Sequence, residues 1–61
     1  MKFKDLRKLI YAPCKVITKD GIFVVSTHYD DRFDELEVIG VRSRIENDES
    51  YIEVNLNEVR D

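Results

Sequence analysis

His28 is the single histidine of the chain, and Asp30, Asp31 and Asp34 follow it closely. An imidazole and a carboxylate at that separation can share a divalent metal, and a carboxylate can orient a histidine as a general base. The spacing matches no dedicated metal or catalytic motif, and Arg32 stands among the acids as a rival partner for them. This stretch is therefore read as a solvated acidic loop with an exposed histidine. Cys14, the single cysteine, follows Pro13 and precedes Lys15. A neighbouring cation can lower a thiol pKa and make the sulfur reactive. A lone cysteine opening a strand is instead read as a small buried hydrophobe. One cysteine also excludes an internal disulfide framework and a multi-cysteine zinc site. No serine stands in a Gly-x-Ser-x-Gly setting, and the chain has no phosphate-loop signature. The expectation is a non-enzymatic protein with no cofactor and no metal.

Two sets of side chains could instead recognise a macromolecule. Residues 1–19 hold six basic groups (Lys2, Lys4, Arg7, Lys8, Lys15, Lys19) and one acid, Asp5, whereas residues 20–61 hold four arginines and twelve acids. The first set, Lys4, Arg7 and Lys8 with Tyr11 as a stacking group, could neutralise phosphates and give salt-dependent binding. Against this, the net charge is −3 and the pI about 5.0. The ordinary alternative is a solvated face, or a positive end that meets the acidic end of another subunit. The reverse idea, that Asp30, Asp31, Asp34, Glu35, Glu37, Glu46, Asp48 and Glu49 imitate a phosphate backbone, is weak at so small a net charge. The second set is Arg42, Arg44 and Tyr51, with Glu53 and Asn55, a composition typical of binding surfaces. Its ordinary alternative is cross-strand Arg–Glu pairing on an exposed sheet.

The elements that must carry these groups follow from hydrophobic spacing. Phe3, Leu6 and Ile10, with Leu9 beside them, form an apolar stripe that predicts a helix over residues 3–11, with Lys4, Arg7, Lys8 and Tyr11 directed away from it. Pro13 should end that helix. So short a helix is unstable alone in water and must dock. Phe3, Leu6 and Ile10 are expected to hold it on the sheet, and Lys4, Arg7 and Lys8 to matter little for folding. Residues 14–18 and 22–27, rich in β-branched side chains, predict a hairpin around Lys19-Asp20-Gly21. A two-residue Asp20-Gly21 turn would set Ile17 opposite Val24; a three-residue turn would set Val16 opposite Val24. Residues 28–35 read as a loop. Residues 36–45 and 51–56 predict a second hairpin, turning within 46–50. Ile39, Val41, Ile45, Ile52, Val54 and Leu56 are expected inward; Arg42, Arg44, Tyr51, Glu53 and Asn55 share the wet face. Residues 57–61 are expected to be a frayed helical turn or a loose tail.

The predicted fold is a single small α+β domain over residues 1–61, with the N-terminal helix packed on a four-stranded antiparallel sheet made of two hairpins. An SH3-like partly closed barrel is the other arrangement for such strands. The longest apolar runs, residues 9–12 and 22–25, are too short for a signal peptide or a spanning helix, so no membrane contact is expected. A chain of this size buries only about 60% of its unfolded surface, so a second subunit covering apolar area, a homodimer, is a reasonable expectation.

The opening Met1-Lys2-Phe3-Lys4-Asp5-Leu6-Arg7-Lys8-Leu9-Ile10, the hairpin after it, Glu37-Val38-Ile39-Gly40-Val41 and Ile52-Glu53-Val54 resemble small uncharacterised proteins of Gram-positive phages and mobile elements. Those begin with a MKxKDLLKLI-like helix and continue as a compact sheet ending in an Ile-Glu-Val strand. The resemblance implies a cytoplasmic accessory protein expressed from a prophage, and it carries over no site residues. The functional expectation is a macromolecular interaction module, its partner another protein or a second copy. The alternative is a nucleic-acid-binding protein using the basic helix.

Overall fold

A computed structural model describes residues 1–57 of the chain. The 57–61 tail expected from sequence thus lies outside the described residues except for Asn57, which ends the last strand. One short helix, α1 (Phe3–Arg7), precedes four strands: β1 (Cys14–Thr18), β2 (Gly21–Val25), β3 (Glu37–Glu46) and β4 (Glu49–Asn57). Both expected hairpins form, β1 with β2 and β3 with β4. They are joined differently from the expectation. The sheet order is β2-β1-β4-β3, and its two central strands, β1 and β4, run parallel. The all-antiparallel sheet is corrected to a mixed one. The partly closed barrel is corrected to an open sheet with β2 and β3 as its edges.

This order makes β2 and β3 run in the same direction on opposite edges. Residues 26–36 must therefore travel back along the sheet, where an antiparallel join of β2 to β3 would need only a tight turn. On the way they lay Phe33 and Leu36 against the core. That core, on one face of the sheet, consists of Phe3, Ile10, Cys14, Val16, Val25, Val54 and Leu56. Phe3, Val16 and Val54 are fully buried.

Helix α1 is shorter than its apolar spacing suggests. After Arg7 the chain tightens into three-residue turns, Leu9 N–H donating to the Leu6 carbonyl at 2.9 Å and Ile10 N–H to the Arg7 carbonyl at 3.3 Å. Ile10 enters the core, while Leu9 faces solvent and is no part of the apolar stripe.

Neither expected register of the first hairpin occurs. Thr18 pairs with Gly21 and Ile17 with Ile22, so Lys19-Asp20 is the turn. Gly21 takes φ +129°, a conformation that favours glycine. The Thr18 hydroxyl accepts from the Asp20 N–H at 3.1 Å and closes the turn. The second hairpin turns at Asn47-Asp48, both with positive φ, as a two-residue type I′ turn requires. Its parity agrees with the sequence reading from Gly40 onward, with Arg42 opposite Glu53 and Arg44 opposite Tyr51. A bulge between Val38 and Gly40 displaces Ile39, which is exposed rather than inward. Val41 and Ile45 lie on the core side of the ladder but are also exposed. For Ile45 the reason is reach, since it lies opposite Ser50 and β1 pairs with β4 only through residues Ile52 to Asn55. Val41 lies opposite Val54 within that stretch, on the edge strand of the sheet. The turn end of the β3–β4 hairpin projects beyond the packed layers as a two-stranded arm.

Candidate interaction surface

The two faces of the sheet differ sharply. Helix α1 and residues 26–36 cover the core face, and Lys2, Lys4 and Arg7 are engaged there. The Arg7 guanidinium donates to both Asp34 carboxylate oxygens, at 2.6 and 3.0 Å, and to the Thr27 carbonyl at 3.1 Å. The Thr27 hydroxyl in turn donates to the Ile10 carbonyl at 3.2 Å, tying the end of the helical segment to the connection. The hydrogen bonds from Arg7 hold the Asp34 carboxyl below the usual carboxylate range. Lys2 and Lys4 both reach Glu35, at 2.7 and 3.4 Å. Arg7 is thus a bridge between helix and connection, not an outward residue indifferent to folding. Lys8 and Tyr11 are exposed. Lys4, Arg7, Lys8 and Tyr11 therefore do not present one uniform cationic face.

The acidic loop is organised by arginine. Asp30 accepts from the Arg32 side chain at 2.6–3.1 Å and from its backbone N–H at 3.1 Å, which depresses the Asp30 carboxyl pKa. Arg32 also lies over the Phe33 ring at 5.1 Å. Asp30 and Asp34, two of the carboxylates near His28, are thus paired with guanidinium groups, and no group of His, Cys, Asp or Glu among the described residues is placed to hold a metal ion. Cys14 is buried, and desolvation pushes its thiol pKa up, away from the reactive range.

The opposite face carries no helix or loop among the described residues. Alternation and register place Ile22 and Val24 of β2, Lys15 and Ile17 of β1, Tyr51, Glu53 and Asn55 of β4, and Arg42 and Arg44 of β3 on it. The surface is graded from apolar to cationic. Ile22 and Val24 are 66% and 72% exposed at one edge. Arg42 and Arg44 stand at the other, their Nε atoms 3.7 and 3.6 Å from the carboxylate of Glu53, which they share. Between them the Lys15 ammonium sits 4.4 Å from the centre of the Tyr51 ring and 3.8 Å from Glu46. Pro13, Val24, Glu46 and the hairpin turn complete an open recess of about 270 Å³ there.

The sequence reading singles out Arg42, Arg44 and Tyr51, and the fold brings them together, with the Arg–Glu pairing given as their ordinary alternative. It misses the apolar part of this surface, Ile17, Ile22 and Val24. The available signal is the unbroken run Ile22-Phe23-Val24-Val25. Such a run belongs to a strand covered on both faces. Here Phe23 and Val25 face the core side while Ile22 and Val24 are left bare.

No family model, curated protein or solved structure matches the chain. None of the described helices is long and apolar enough to cross a membrane.

Proposed function

We propose that this chain is a non-enzymatic interaction module that contacts another protein, or a second copy of itself, through the bare face of its sheet. The observation that carries the reading is the exposure of Ile22 and Val24 on an otherwise folded sheet, beside Ile17 and the Tyr51–Lys15 pair. Adjacent apolar side chains left on a surface, rimmed by charge, are a common mark of contact sites. The resemblance of residues 1–10, 37–41 and 52–54 to small proteins of Gram-positive phages and mobile elements implies an accessory role in such an element. The alternative, nucleic-acid binding through Lys4, Arg7, Lys8 and Tyr11, is disfavoured by the carboxylates that already engage Arg7 and Lys4.

The test compares the chain with an Ile22→Thr/Val24→Thr variant, which keeps β-branched residues on the strand. Light scattering is expected to show a mass above the 7.2 kDa of one chain that the variant loses, or affinity capture a protein that the variant does not retain. Identical behaviour of the two chains in both assays overturns the reading. Salt-titrated binding to mixed DNA and RNA, tighter than about 100 μM and weakening with salt, would replace it by the alternative.

A further inference from the structure

We infer that the edge of β3 beyond the Ile39 bulge, which pairs with no strand among the described residues, is a docking site for an extended acidic segment of a partner protein, which adds to the sheet as a fifth strand antiparallel to β3. This rests on the interaction-module reading and names the partner's chemistry at one edge of the same sheet. The edge is already used this way at its start. Lys2 bridges Glu37 in antiparallel fashion, the Val38 N–H donates to the Met1 carbonyl at 2.8 Å, and the Phe3 N–H to the Leu36 carbonyl at 2.9 Å. Beyond the Ile39 bulge that added strand ends and β3 continues to Glu46. In a two-residue hairpin the pair flanking the turn, here Glu46 and Glu49, exchanges both hydrogen bonds. Alternation then leaves the backbone groups of Val41, Ser43 and Ile45 directed outward. A row of such groups is a template for another strand.

Charge selects the occupant. Arg42 and Arg44, at alternate positions on one face, share the single carboxylate of Glu53. A second copy of β3 fits poorly: every two-fold pairing centred on Arg42, Ser43 or Arg44 sets arginine against arginine, which is destabilising. A segment with acids opposite Arg42 and Arg44 removes that conflict, and apolar residues opposite Val41 and Ile45 would cover side chains now exposed. Glu46 favours a basic residue opposite it. Continuing the line of the Met1–Lys2 addition, the segment runs base, apolar, acid, small polar, acid, apolar, from opposite Glu46 to opposite Val41. This is strand addition, with main-chain bonds giving affinity and alternate side chains giving specificity.

The probe is the capped peptide KIETEV, with KIKTKV as control, each titrated into the isotope-labelled chain and followed by amide NMR. KIETEV is expected to shift the Val41, Ser43 and Ile45 amides and to bind about tenfold more tightly than KIKTKV, since opposite-charge cross-strand pairs stabilise and like-charge pairs oppose. The Arg42→Glu/Arg44→Glu variant should reverse that order. The milder Arg42→Gln/Arg44→Gln variant should abolish the preference with the fold intact by amide spectrum, which covers the case in which charge reversal disturbs the arm. Equal binding of the two peptides, no binding at millimolar peptide, or shifts confined to β2 overturns the inference. If that happens while Ile22→Thr/Val24→Thr still abolishes association, the edge inference fails and the broader reading stands. If that substitution is silent as well, both fail.

Discussion

Arg7 falls on the side of the helix that residue spacing assigns to solvent, yet two carboxylate oxygens and a backbone carbonyl hold its guanidinium. Its side chain is only 15% exposed and that of Asp34 only 21%, so water screens this pair less than the lysine contacts at Glu35. The planar fork of arginine makes the double contact, which neither lysine nor glutamine can reproduce. Arg7→Gln is therefore expected to lower the urea midpoint at neutral pH, and Lys8→Gln to leave it in place. The pH dependence follows from Asp34. Its folded pKa lies below its unfolded value of about 3.9, so its contribution is complete well above that pH and is lost as pH falls through the folded pKa. Urea curves recorded across this acid range should show a steady loss of midpoint for the native chain and a flatter one for Arg7→Gln. Parallel curves for the two would locate the acid sensitivity in other carboxylates.

Helix α1 is held chiefly through its first residue. Of the three anchors expected from sequence, Phe3 is completely buried and Ile10 is buried, whereas Leu6 is only partly covered. Five residues cannot persist as a helix without such docking. Phe3→Ala is expected to cost about 3–5 kcal/mol, enough to unfold much of a small domain. Leu6→Ala should cost less, with both read from denaturant midpoints at equal slope. Equal losses would show that the helix is anchored through both side chains. The connection over residues 26–36 has a comparable structural role, because it places Phe33, Leu36, Thr27 and Asp34 against the helical segment and the core.

Across the whole molecule, packing is uneven along the strands. The long dimension is 40 Å against 21 and 16 Å, and the projecting β3–β4 arm, beyond the reach of β1, has exposed residues throughout 44–50. A two-stranded ribbon has little independent stability, since neither of its faces is buried. Amides of the hydrogen-bonded pairs near the arm's turn, such as Arg44 and Tyr51, are expected to exchange at least about a hundredfold faster than those of Val16 and Val54, measured by native-state hydrogen exchange. Uniform protection would mean that the arm is stabilised by a contact outside the described chain. The division of charge between the two ends of the sequence also resolves at this scale. Lys2 and Lys4 meet Glu35, and Arg7 meets Asp34, so at these positions the basic opening is matched by the acidic connection.

The sequence by itself determined whatever depends on neighbours along the chain. Alternation in residues 51–56 gave the inward set Ile52, Val54 and Leu56. The same alternation put Arg42 and Arg44 on the face of Tyr51 and Glu53. Glycine and the short polar runs located both turns to within a residue or two, though not the register of the first, where Lys19-Asp20 rather than a pair containing Gly21 closes the hairpin. Tertiary structure alone decided how the hairpins join. Two hairpins can meet through β2 and β3 or through β1 and β4, and local patterning is the same in both cases. The choice depends on where Phe33 and Leu36 find apolar cover and where Arg7 finds Asp34, contacts between residues distant in sequence. From that choice follow the parallel centre of the sheet, the bare face with Ile22 and Val24, and the open edge at β3. An apolar run such as residues 22–25 records that a strand can be covered on both sides; only the packed fold decides which side the chain covers itself.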